Sequence, residues 1–131
     1  MRKNPRILFA TVFSFAMICL ALPSYAQTSG FFSAAYLQEL CKADGAGRET
    51  VPGGHTACQA YIAGVIDYHM LMKSLGTAPT IDFCVPNTVS MKRLQAIVWV
   101  YLKKHGEHSE FVASPAVTLA LYAYYPCKKK R

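Results

Sequence analysis

The sequence predicts a small all-α fold, a four- or five-helix bundle held by disulfides and preceded by a secretory signal. Three observations carry this. The first 26 residues have the layout of an export signal, the remainder keeps an even number of widely spaced cysteines, and its apolar residues recur at helical rather than alternating spacing.

The signal is read from Arg2, Lys3 and Arg6, followed by the apolar run Ile7 to Ala21, then Pro23 and the small-residue pattern Ser24-Tyr25-Ala26. Cleavage is expected before Gln27. The apolar run is shorter than the ~20 residues that a spanning helix needs, so no stable membrane insertion is expected after cleavage. A lipid-anchored form would need a small residue before Cys19, and Ile18 stands there. The chain therefore divides into a signal (1–26), a helical domain (27–127) and a basic tail (128–131).

Cleavage lowers the cysteine count from five to four: Cys41, Cys58, Cys84 and Cys127. They stand 17, 26 and 43 residues apart. An exported small chain with such spacing points to two disulfides, whereas a zinc site calls for clustered pairs. Charge falls as well. The 14 basic residues become 11 against seven acidic ones, a net charge of +4 that resides entirely in Lys128 to Arg131. The body is neutral, so the basic balance is no argument for nucleic-acid binding. The tail itself reads as a solvated terminus.

The first helix is expected over "SAAYLQELC", with Ser33 as its cap and Tyr36, Leu37 and Leu40 on one side. Four glycines and a proline in "KADGAGRETVPGGHTA" make a loop. A second helix follows in "CQAYIAGVIDYHMLMK". Cys58, Tyr61, Ile62, Val65, His69 and Met72 share a stripe, while Tyr68 and Leu71 make the other side apolar too. Such a helix is central or lies in a subunit interface. Gly64 costs about 1 kcal/mol of helix propensity, which suggests close approach of a neighbouring backbone, with Asp67 one turn further on. A connector with Gly76 and Pro79 leads to Ser90, the cap of the third helix "MKRLQAIVWVYLKKH". There Trp99 falls on the more polar side, where it is either core or an interface anchor. Gly106 ends that helix, and Ser114 and Pro115 are expected to open a fourth, stopped by Pro126.

If the third and fourth helices form an antiparallel hairpin, Cys127 returns to Cys84, and Cys41 closes the glycine-rich loop with Cys58. Three pairings are open from sequence, the next preferred being Cys41 with Cys127 and Cys58 with Cys84.

No catalytic constellation emerges, and no cofactor or metal is expected. The four cysteines are committed to disulfides, there is no G-x-S-x-G turn, and His105 and His108 lack a further pattern to complete a metal site. Asp67 and His69 point apart on their helix.

The succession "LC", "CQAYIAGVID", "FCVPNTVSMKRLQAIVWVYLKKH" and "YYPC", from Leu40 to Cys127, resembles the Tai/Rap family of exported bacterial immunity proteins. The resemblance implies a non-catalytic protein of the Gram-negative periplasm that neutralises a peptidoglycan-cleaving amidase delivered by a type VI secretion system. Members bind their effector, often as dimers, with a surface loop blocking a Cys-His active site. A homodimer and a cognate amidase are accordingly the expected partners. On the residues of this chain, Glu107, His108 and Glu110 in "GEHSEF" are candidates for the blocking loop, with Trp99 as apolar anchor. The loop around Arg48 and the Gly64 and Asp67 side of the second helix are alternative surfaces. A different class, a periplasmic helper such as an acid-stress holdase or envelope-stress subunit, is also compatible with a small helical disulfide-bonded chain rich in apolar residues.

Overall fold

The computed structural model describes residues 32–77 and 79–128, all within one unit spanning Phe31–Arg131. The expected signal, its cleavage point and most of the basic tail lie outside the described residues. Among the described residues there are four α-helices in order, α1 (Ala34–Cys41), α2 (Gly54–Ser74), α3 (Met91–Lys104) and α4 (Ala113–Tyr124), and a 3-10 turn at Gly106–His108. Among the described residues there are three isolated β-bridges and no strand, and no helix is long and apolar enough to cross a membrane.

Two of the caps read from sequence are present. Ser33 Oγ accepts the Tyr36 N–H at 3.2 Å and Ser90 Oγ accepts the Arg93 N–H at 3.3 Å, each satisfying a donor that helix geometry leaves free. The other two starts differ from expectation. α2 begins four residues before Cys58, because Glu49 reaches forward to accept the N–H groups of Gly53 (3.0 Å) and His55 (3.2 Å). α4 begins at Ala113, and Ser114 is not its cap. The Ala113 N–H instead donates to the Phe32 carbonyl at 2.7 Å, so a neighbouring segment supplies what a side chain was expected to supply. Pro115 still falls in the first turn, where the missing N–H costs nothing.

All four helices pack on one another, and α1 touches each of the other three. The centre contains Leu37, Ile62, Leu94, Val98, Val117 and Leu121, all fully buried. Each such side chain contributes about 1.5–3 kcal/mol relative to exposure. One polar side chain crosses this centre. Gln95, 4% exposed, donates to the Cys41 carbonyl at 3.1 Å and accepts from Gln59 at 2.7 Å, fastening α3 to the end of α1 and to α2.

Close backbone approach occurs at Gly54 rather than Gly64. A Cβ at position 54 would lie 2.9 Å from the Leu40 carbonyl oxygen, whereas one at position 64 meets nothing within 4 Å. Intimate contact at the α1–α2 corner is what lets Cys41 and Cys58 join, with a Cα separation of 5.1 Å. The second disulfide joins Cys84 to Cys127. Beside it, the Cys84 N–H donates to Tyr125 O (2.7 Å) and the Cys127 N–H to Asp82 O (3.1 Å), pinning the end of α4 to the segment before α3. The first-choice pairing is therefore the one formed.

α2 is partly exposed along its apolar side. Tyr68, Met70, Leu71 and Leu75 are all more than half exposed. Its buried stripe ends in His69, 4% exposed, stacked on Phe83 with centroids 3.9 Å apart and bonded through Nε2 to Asp82 at 2.9 Å. Asp82 also accepts from Lys73 at 2.9 Å. Lys73 Nζ stands 3.6 Å and 3.5 Å from the sulfurs of Cys84 and Cys127.

Candidate functional site

The segment between α3 and α4 is short, exposed and internally ordered. α3 ends as the His105 N–H donates to Tyr101 O, and the chain then tightens into the 3-10 turn. Successive backbone bonds, His108 N–H to His105 O, Ser109 N–H to Gly106 O and Phe111 N–H to His108 O, lie between 3.0 and 3.1 Å. Two further bonds moor the segment to the start of α1: Ala34 N–H to Phe111 O at 2.8 Å and Ala35 N–H to Ser109 O at 3.1 Å. Free N-terminal donors of one helix thus hold the carbonyls of a distant loop.

Side chains stiffen the same segment. Tyr101, His105, His108 and Phe111 form a run of near-parallel rings, with neighbouring centroids 4.3 Å, 5.5 Å and 4.7 Å apart. In a 3-10 turn residues three apart eclipse, so His105 and His108 meet on one face. Glu107 lies alongside, its Oε1 2.8 Å from His105 Nδ1. That bond from His105 holds the Glu107 carboxyl below its usual range. Burial, with Glu107 nearby, pushes the Tyr101 hydroxyl up. Glu107 and Glu110 are exposed and His108 is half-buried. Phe111, not singled out from sequence, is 43% exposed while its ring rests on His108. A phenylalanine inside an otherwise polar loop was the available signal.

Trp99 is elsewhere. It precedes Tyr101 by two residues, which turns the two side chains to opposite sides of α3. Its ring, half-buried and packed against the core, lies under the Lys103 ammonium at 5.3 Å. It lines a cleft of about 400 Å³ with Cys41, Ala43, Gly47, His55 and Gln59. The structure thus groups Trp99 with the glycine-rich loop and not with Glu107, His108 and Glu110. That loop is ordered too. Asp44 Oδ1 accepts the N–H groups of Ala46 and Arg48 at 2.8 Å and Oδ2 pairs with Arg48 Nε at 2.9 Å, which holds the Asp44 carboxyl low. Gly47 supplies the positive φ of 77° that the turn requires. Asp67 is exposed, among the described residues without a hydrogen bond or ion pair, and Gly64 faces open space.

The arrangement suits recognition by shape: an exposed acidic and aromatic turn whose backbone is bonded internally and to α1, with the cleft of Trp99 and the glycine-rich loop as a separate ordered surface. No curated protein and no solved structure matches the chain at a significant level. The family model described as Rap1a immunity proteins matches residues 33–127, which takes in all four helices, both disulfides and the loop between α3 and α4, and the chain belongs to that family.

Proposed function

We propose that this protein is a periplasmic immunity protein that binds a cognate type VI secretion effector, an amidase acting on peptidoglycan, and inhibits it by placing residues 105–112 across the active-site cleft. The observation that carries this reading is the preorganised loop. Its backbone is bonded internally and to α1, so little ordering entropy is lost on binding. Exposed Glu107 and Glu110 offer carboxylates to a catalytic histidine or a basic rim, and exposed Phe111 offers an apolar anchor. Binding rather than catalysis is the mode of action, in the compartment that the export signal would reach. The exposed apolar residues of α2, Tyr68, Met70, Leu71 and Leu75, are the ground that a second copy would cover in a homodimer.

The test uses a cognate effector purified as an active amidase. Substituting Glu107, His108 and Glu110 together by alanine is expected to weaken binding and relieve inhibition, and adding Phe111→Ala to weaken it further. Trp99→Ala is expected to change affinity little. Full inhibition by the folded loop variant, with loss confined to Trp99→Ala, would move the interface to the cleft beside the glycine-rich loop. A general holdase would instead suppress aggregation of unrelated unfolded proteins at low pH, in proportion to α2 exposure.

A further inference from the structure

Among the described residues two groups of metal-donor side chains come together: Asp82 with Cys84 and Cys127, and His105 with Glu107 and His108. The first is already satisfied. Both sulfurs are spent in a disulfide, and the Lys73 ammonium occupies Asp82 Oδ1 at 2.9 Å. The second has no cation of its own. One donor atom from each of its three residues lies within 4.8 Å of the other two. We propose that His105, Glu107 and His108 form a site for a divalent transition cation of the zinc type.

Donor chemistry selects that class. Two imidazoles and a carboxylate suit borderline ions such as Zn2+, whereas Mg2+ and Ca2+ favour all-oxygen sets. Donor atoms around tetrahedral zinc stand about 3.4 Å apart, given bonds of about 2.1 Å. The triplet therefore needs to close by up to about 1.4 Å, a shift that side-chain rotations in an exposed turn can supply. The two imidazoles lie on one face of the turn, 12° from parallel and flanked outside by Tyr101 and Phe111, and one ring turns on binding so that both in-plane lone pairs meet the cation. His105 Nδ1 and Glu107 Oε1 already stand 2.8 Å apart, so a cation that displaces the proton between them meets two donors side by side. His108 Nδ1 is buried and has no hydrogen-bond partner, a state that a bound cation resolves by drawing the ring into coordination. With three protein donors, the fourth position stays open to water or to a donor from another molecule. The site does not depend on the toxin reading, because the isolated protein contains every donor.

The experiment is calorimetric titration of zinc chloride into the exported, disulfide-bonded protein in phosphate-free buffer at neutral pH. One equivalent is expected to bind saturably. His105→Gln, which keeps an amide to bond Glu107, and His108→Phe, which keeps the ring stack, are each expected to retain the wild-type helical circular dichroism and to weaken zinc binding at least tenfold. His55→Ala, in the Trp99 cleft, is expected to bind as wild type. Cobalt substitution should give a visible absorption band that both loop variants lose. Absence of saturable binding at millimolar zinc, wild-type affinity in both loop variants, or loss confined to His55→Ala would overturn the assignment. An unaltered zinc affinity alongside failed toxin inhibition, or the reverse, separates this site from the proposed function.

Discussion

Removing one disulfide at a time sets loop length against burial, and the two effects rank the variants oppositely. Opening Cys84–Cys127, whose residues are 43 apart, releases unfolded-state entropy worth about 4 kcal/mol at 25 °C. Opening Cys41–Cys58, 17 apart, releases about 3 kcal/mol. On loop length alone the outer bridge matters more. Cys41 and Cys58, however, are 2% and 0% exposed, while Cys84 is exposed and Cys127 half-buried. Deleting two buried sulfurs from a close-packed interior costs about 1 kcal/mol each on the methylene scale, with unfilled space adding to it. The double alanine variant of the inner pair is therefore expected to lose about 5 kcal/mol and that of the outer pair about 4 kcal/mol. For a domain of about 100 residues, that 1 kcal/mol difference separates the melting points by roughly 4–8 °C. Urea unfolding of both double variants, monitored by far-ultraviolet circular dichroism, gives the comparison. If the outer-pair variant were the less stable by the loop-length margin, burial of Cys41 and Cys58 would be energetically irrelevant and this reasoning would fail.

Two glycines of α2 are expected to respond oppositely to the same substitution. Gly54→Ala should cost about 1–3 kcal/mol, since its Cβ meets a backbone carbonyl, while Gly64→Ala should stabilise by about 0.5–1 kcal/mol, since its Cβ meets nothing; thermal melts of both variants check the signs. Asp82 should confer an acid-sensitive increment of stability. The Lys73 bond holds its carboxyl below the ordinary 3.8, with His69 adding to the effect, so its contribution is full above that value and is lost as pH falls through the lowered one. Asp82→Asn is expected to cost less than about 1 kcal/mol at neutral pH, the deficit shrinking below the ordinary carboxylate value in chemical denaturation across the acid range; a deficit unchanged into strong acid would refute the linkage.

Elements whose cause is local were legible in the sequence. Ser33 and Ser90 cap because their own side chains reach forward three residues, and the helical stripes around Leu37, Ile62 and Val98 mark the buried faces. The disulfide partners followed from hairpin geometry. What was missed depends on distant neighbours. Glu49 extends α2 toward its own loop, and Phe32 rather than Ser114 receives the start of α4. Gly64 was read as a contact point because propensity reveals a cost and not its compensation, whereas the compensated glycine, Gly54, sat in a stretch already assigned to the loop. In the candidate site, Glu107, His108 and Glu110 share one turn because they are near neighbours in sequence. Trp99, read as their apolar anchor, lines the cleft beside the glycine-rich loop, a placement set by tertiary packing that nearness along the chain does not reveal.

The mooring of residues 109–111 to Ala34 and Ala35 joins parts of the chain roughly seventy-five positions apart. During synthesis the first helix leaves the ribosome long before the loop that it will hold, so the loop reaches its final shape only when nearly the whole domain has been made and has closed on itself. A truncated or half-translocated chain can carry every residue of the loop and still present it in the wrong shape. Detachment of the first helix would act in the same way on a finished molecule, blunting recognition without altering any residue that touches the partner. Affinity for a partner that reads this loop is in that sense a quality check on the complete fold.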